Sequence, residues 1–159
     1  MRLTELRTVL DGLSLRPSKT LGQNFLHDAN LARAIARAAV PSHASFAVEI
    51  GPGLGALTVP LLERCRRILL VEKDARLAEW LRGHLAVDRA EIACADAVDF
   101  DWRPLMQHGP FPLAGNLPYS ATSPILRNFL GPCSPVARAT FTVQHEFAAR
   151  LAAAPGSPD

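Results

Sequence analysis

The sequence predicts an α/β domain in which a parallel, doubly wound sheet is flanked by helices. Two observations carry this expectation: short apolar runs alternate with longer stretches of helical periodicity, and one run after another ends in glycine, a carboxylate or asparagine. At 159 residues, with 48% hydrophobic and 20% charged side chains, the chain suits one ordinary soluble domain spanning 1–159.

The elements follow in order. Leu3, Leu6, Leu10 and Leu13 recur at helical spacing, so a short amphipathic helix is expected, closed by Gly12 or the Arg16-Pro17 step. A polar loop over 17–22 precedes a second helix with Asp28 as N-cap, Leu31, Ile35 and Ala38 or Ala39 facing inward, and Pro41 as stop. Residues 1–45 therefore form a helical segment ahead of the sheet. Strands are expected at 46–50, 68–71, 91–94, 111–114 and 139–143, and helices at 56–65, 75–85, 123–130 and 146–154. Strands alternating with helices pair in parallel, and ligands of such sheets bind beyond the carboxyl ends of the strands, where strand order reverses. Residues 51–55, Glu72, Asp96 and Asn116 all fall at such ends.

Bulk properties exclude several classes. No stretch approaches the roughly 20 apolar residues of a membrane span, and Arg2, Glu5 and Arg7 interrupt the run a signal peptide needs, so a cytoplasmic protein with no membrane partner is expected. Cys65, Cys94 and Cys133 are odd in number and widely spaced, which suits incidental thiols. The five histidines show no ligand spacing, and no metal is expected. The net charge of +2 does not announce nucleic acid, although Arg2, Arg7, Arg16, Lys19, Arg33 and Arg37 outnumber nearby acids and can meet phosphates.

The segment Glu49-Ile50-Gly51-Pro52-Gly53-Leu54-Gly55 has little side-chain bulk, so a ligand can approach its backbone closely. Gly51, Gly53 and Ala56 satisfy a dinucleotide-type spacing, with Glu72 about 20 residues on to hold ribose hydroxyls. Taken alone, this pattern fits a nicotinamide or flavin site, S-adenosylmethionine, or a bare structural turn. Glu49 and Pro52 favour S-adenosylmethionine, because a cationic amino acid suits a nearby carboxylate whereas a pyrophosphate prefers bare amides. Asp96 can accept from an adenine amine or cap a turn.

Residues Asn116-Leu117-Pro118-Tyr119 set two hydrogen-bond acceptors beside an aromatic face. The Asn116 side-chain oxygen and the Leu117 carbonyl can receive an exocyclic amine, Pro118 restricts the backbone, and Tyr119 can stack on the ring. This is a methyl-acceptor site, and a dehydrogenase has no evident use for it.

Residues 19–26, 49–55, 71–74, 96–97, 115–119 and 144–146 together resemble the ribosomal RNA adenine dimethyltransferases, over about residues 16–158. The resemblance implies a Rossmann-like class I methyltransferase that uses S-adenosyl-L-methionine to N6,N6-dimethylate two adjacent adenines near the 3′ end of small-subunit ribosomal RNA. It implies that Gln23, Asn24 and Leu26 border the cofactor, that Gly51 lies against its methionine part, and that Glu72 binds the ribose. Asp96 would bind the cofactor's adenine amine, and Asn116 would lie between cofactor and target base. The partner implied is small-subunit ribosomal RNA or the assembling small subunit, met by a monomer.

The family continues into two further strands and a small helical domain, so a truncated protein with an uncovered sheet edge and marginal stability in isolation is expected. The alternatives are a large-subunit adenine methylase of the antibiotic-resistance type, a DNA adenine methylase (disfavoured by Asn116 in place of aspartate) and a non-catalytic RNA-binding relative. A nicotinamide-dependent dehydrogenase is the most distant of them.

Overall fold

The computed structural model describes residues 3–15, 25–85, 88–117, 122–129 and 134–154. Five strands form one parallel sheet: β1 (Ala44–Ile50), β2 (Cys65–Glu72), β3 (Ala90–Cys94), β4 (Phe111–Asn116) and β5 (Val136–Thr142). Their order is β3-β2-β1-β4-β5, so the winding reverses between β1 and β4, and that is where a parallel sheet opens a crevice.

Strand parity explains the core. Residues alternate between the two faces. Phe46, Val48 and Ile50 of β1, with Leu69 and Val71 of β2, face one cluster that also holds Trp102, Phe111 and Leu113. Ala47, Ile68 and Leu70 face the other, with Ile35, Ala36 and Leu61. Because both faces are covered, β2 reads as an unbroken apolar run from Ile68 to Val71. Each fully buried leucine or isoleucine there stabilises the fold by about 1.5–3 kcal/mol.

The helices are α1 (Leu3–Gly12), α2 (Ala29–Ala39), α3 (Thr58–Leu62), α4 (Ala75–His84), α5 (Thr122–Phe129) and α6 (His145–Ala152). The first ends on Gly12, one of the two stops the sequence offered; Arg16 and Pro17 lie outside the described residues. Ser14 takes a φ of 52°, Leu15 N donates to Leu10 O and Ser14 N to Asp11 O, which forms a Schellman cap. Leu10 and Leu15 then pack with Leu54 and Leu77, anchoring α1 against the turn after β1.

Asp28 caps α2 as expected, accepting from the Asn30 and Leu31 amides. Its inward face differs: Ala32, Ile35, Ala36 and Ala39 are buried, whereas Leu31 is 46% exposed. Small alanines let α2 sit close to the sheet and turn Leu31 outward. The helix expected at 56–65 shrinks to Thr58–Leu62. Turns occupy residues 53–57, and Cys65 is already extended to pair with Ala44. Pro60 fits because it sits in the first turn, where its missing N–H has no intrahelical partner to lose. A 3-10 helix, Arg103–His108, was not anticipated; Leu105 buries one side of it.

At the other edge β5 pairs with β4, and Ala137, Arg138 and Ala139 are exposed. No residue of α6 is buried. Among the described residues, no helix is long and apolar enough to cross a membrane.

Candidate functional site

The turn after β1 is shaped by three glycines at φ 66°, 59° and 77°, namely Gly51, Gly53 and Gly55. L-residues with a Cβ rarely adopt these values. Gly51 N donates to Val71 O, and Gly55 N to Pro52 O, so the turn is fixed to the sheet and to itself. A Cβ on Gly51 would lie 3.7 Å from the Asn116 carbonyl oxygen, filling the gap between this turn and the end of β4. A Cβ on Gly53 would lie 3.3 Å from the Phe25 ring, which packs over the turn. Leu26, next in the chain, is half-buried against the α2–α3 cluster.

Glu72 ends β2 and is nearly buried. Its Oε2 accepts from Gly53 N at 3.0 Å and its Oε1 from Asp74 N at 2.9 Å, so the carboxylate fastens the glycine turn in place. Burial raises its pKa, and the two amide bonds oppose that rise.

Glu49 is less accessible than the sequence suggested. Parity puts it on the same face as Ala47; it is 1% exposed, and its Oε2 accepts from the Thr58 hydroxyl at 2.7 Å. Burial, with a smaller contribution from Glu72 and against the Thr58 bond, pushes its pKa up from 4.5 to about 8. A carboxyl whose folded pKa lies above its unfolded value contributes stability that is fully present below 4.5 and lost as pH rises through about 8. Thermal melts should therefore show a fall in stability between pH 5 and 9 that Glu49→Gln flattens; an identical pH profile in the variant would remove Glu49 as its source.

Of the two roles the sequence left open for Asp96, the structure shows the turn cap, together with an ion pair. Its Oδ1 caps the following turn by accepting from Val98 N at 3.0 Å, and its Oδ2 meets Lys73 Nζ at 2.6 Å. The Lys73 bond holds its carboxyl below the usual range.

Asn116 ends β4 beside the glycine turn, in register with Thr142 of β5. The Thr142 hydroxyl donates to Asn116 Oδ1, and Leu117 N donates to Thr142 O at 3.3 Å. The Leu117 side chain is buried in the core, which pins the chain directly after Asn116. Gly115 lets β4 approach β1: a Cβ there would stand 2.7 Å from Ile50 O. Gly115→Ala should cost about 1–3 kcal/mol, since the obstacle is backbone and cannot swing aside. An unchanged melting temperature would contradict this.

Pro118, Tyr119, Gln23 and Asn24 lie outside the described residues. The starts of α5 and α6 line a cleft of about 150 Å³ with Thr122, Ser123, Gln144, Glu146, Phe147 and Arg150. The Arg150 guanidinium stands 5.7 Å from the Phe147 ring centroid. Cys65 is buried and Cys94 exposed. No group of three or more metal-binding side chains occurs among the described residues.

The sequence reading gave no role to Thr58 or Thr142. Thr142 lies at a strand's carboxyl end, so the rule that singled out Asn116 applies equally to it. Nothing local marks Thr58, which meets Glu49 through the path of the turn.

A family model for ribosomal RNA adenine dimethylase matches residues 15–159. The ribosomal RNA small subunit methyltransferase A of Cutibacterium acnes is 40% identical over 158 residues, covering 96% of this chain and 52% of the relative. That of Prosthecochloris aestuarii is 44% identical over 141 residues, covering 89% and 53%. The chain thus spans about half the length of these curated relatives. Among solved structures, the 23S rRNA methyltransferase ErmE superposes with a TM-score of 0.66 at 34% identity, over 79% of this chain and 50% of that one. A dimethyladenosine transferase from Plasmodium falciparum gives 0.68 at 23% identity, over 84% and 48%.

Proposed function

Because the chain belongs to the ribosomal RNA adenine dimethylase family, we propose that it carries the catalytic core of an enzyme that dimethylates N6 of two adjacent adenines near the 3′ end of small-subunit ribosomal RNA, acting in the cytoplasm on that RNA or on the assembling subunit. The observation that carries this reading is the approach of the Gly51 turn to Asn116, which sets a close-approach cradle against a hydrogen-bond acceptor at the switch point.

The residues present fit S-adenosyl-L-methionine. The cradle at Gly51 is open because no Cβ fills it, and the Glu72 oxygens, each spending one lone pair on an amide, keep others for ribose hydroxyls. Asp96 and Lys73 offer an acceptor and a donor to the adenine edge, and the family resemblance assigns Gln23, Asn24 and Leu26 to the cofactor's border. Glu49 lies beneath the turn, where its bond from the Thr58 hydroxyl braces the start of α3 rather than meeting the cofactor. When bound, the cofactor supplies an electrophilic methyl group on a sulfonium.

The protein's part is to prepare the nucleophile. An adenine N6 lone pair is delocalised into the ring. Asn116 Oδ1 and the Leu117 carbonyl accept the two N6 hydrogens, draw the nitrogen toward tetrahedral geometry and aim its lone pair at the methyl carbon. Once N6 carries the methyl group, Asn116 and Leu117 would hold the cationic nitrogen until its proton leaves to water. Tyr119 stacks on the extruded base, a contact worth about 1–3 kcal/mol. Titration with S-adenosylmethionine and with NADH tests the cofactor assignment: saturable binding of the first alone is expected, and binding of NADH alone would overturn it.

The likeness to ErmE favours one second reading, methylation of an adenine in large-subunit RNA. The two differ in the RNA that is labelled.

A further inference from the structure

We infer that Thr142 is a positioning residue that sets the orientation of the Asn116 amide; this rests on the proposed role of Asn116 as acceptor for the target amine. An asparagine amide turns about a broad, nearly two-fold torsion, so strand position alone does not decide where Oδ1 points. If the amide swings round, an NH2 group faces the target amine and repels it.

Thr142 supplies a constraint of this kind. It is β-branched and sits at the last position of β5, in register with Asn116, so both its backbone and its χ1 are held. Its hydroxyl donates to Asn116 Oδ1, marking that atom as the acceptor and using one of its two lone pairs. The Thr142 carbonyl also accepts from Leu117 N, so one residue braces both members of the acceptor pair. A buried Leu117 side chain prevents the pair from shifting as a unit.

Thr142 touches neither cofactor nor base in this account, and its effect passes through Asn116. The test compares wild type, Thr142→Val and Thr142→Ser in the full-length polypeptide, with Thr142→Ala used where valine is not tolerated. Thr142→Val should lower kcat about tenfold, the effect of one ordinary hydrogen bond, with the KM for S-adenosylmethionine unchanged, and Thr142→Ser should restore it. Wild-type kcat in the valine variant, or a serine variant equally slow, would overturn the proposal.

Crystal structures of the same variants decide it independently of activity. Asn116 should hold one amide orientation in wild type and in Thr142→Ser, and lose it in Thr142→Val; an unchanged orientation in Thr142→Val would also overturn it. Should the wild type label no RNA while Asn116 responds in this way, the methylation reading fails and the positioning claim stands.

Discussion

Asn116→Ala is expected to lower methyl transfer by about 10²–10³-fold, the scale of removing one oriented polar group from a reacting centre, while the affinity for S-adenosylmethionine stays near its original value. The asymmetry follows from geometry. Asn116 lies at the end of β4, across the crevice from the turn, and the turn is held by Glu72 and Val71. Truncating Asn116 removes the acceptor and leaves the cradle standing. Asn116→Asp keeps an acceptor that Thr142 can still address, so its loss should be smaller. Single-turnover transfer with calorimetric cofactor binding measures both effects, and a fully active alanine variant would eliminate the proposed role.

Glu72→Ala should produce the opposite pattern. Its carboxylate receives the Gly53 and Asp74 amides and is proposed to receive ribose hydroxyls as well. Removing it takes away charge-assisted bonds to the cofactor and leaves two amides without partners. Affinity should fall about 10–100-fold, with a smaller effect on the rate at saturating cofactor. Glu72→Gln should be nearly as weak, because its NH2 end would face one of the two backbone donors. Calorimetry with S-adenosylmethionine decides this; unchanged affinity in either variant would remove Glu72 from the site.

Much of the fold was legible because burial on both faces of a parallel sheet leaves continuous apolar runs. Ile68 to Val71 can be read directly, and the glycine turn and Asn116 then fall at strand ends by counting. The sequence was less informative where packing decides. Leu31 looks like a core residue, yet α2 lies on its alanines. The helix after the glycine turn is cut short because the chain must be extended by Cys65 to pair with Ala44. Glu49 reads as a ligand-facing carboxylate, but strand parity sends it beneath the turn to Thr58. Thr142 meets Asn116 across 26 residues, a distance that no local pattern bridges.

The central claim is that the crevice between the glycine turn and Asn116 is an adenine N6 methylation site. Its most direct test is transfer of labelled methyl groups by the full-length polypeptide to unmethylated small ribosomal subunits, followed by mapping of the modified nucleotides. The account predicts N6,N6-dimethyladenine at two adjacent positions near the 3′ end of the small-subunit RNA. Label confined to large-subunit RNA offered in parallel, or no label in any RNA, would contradict it.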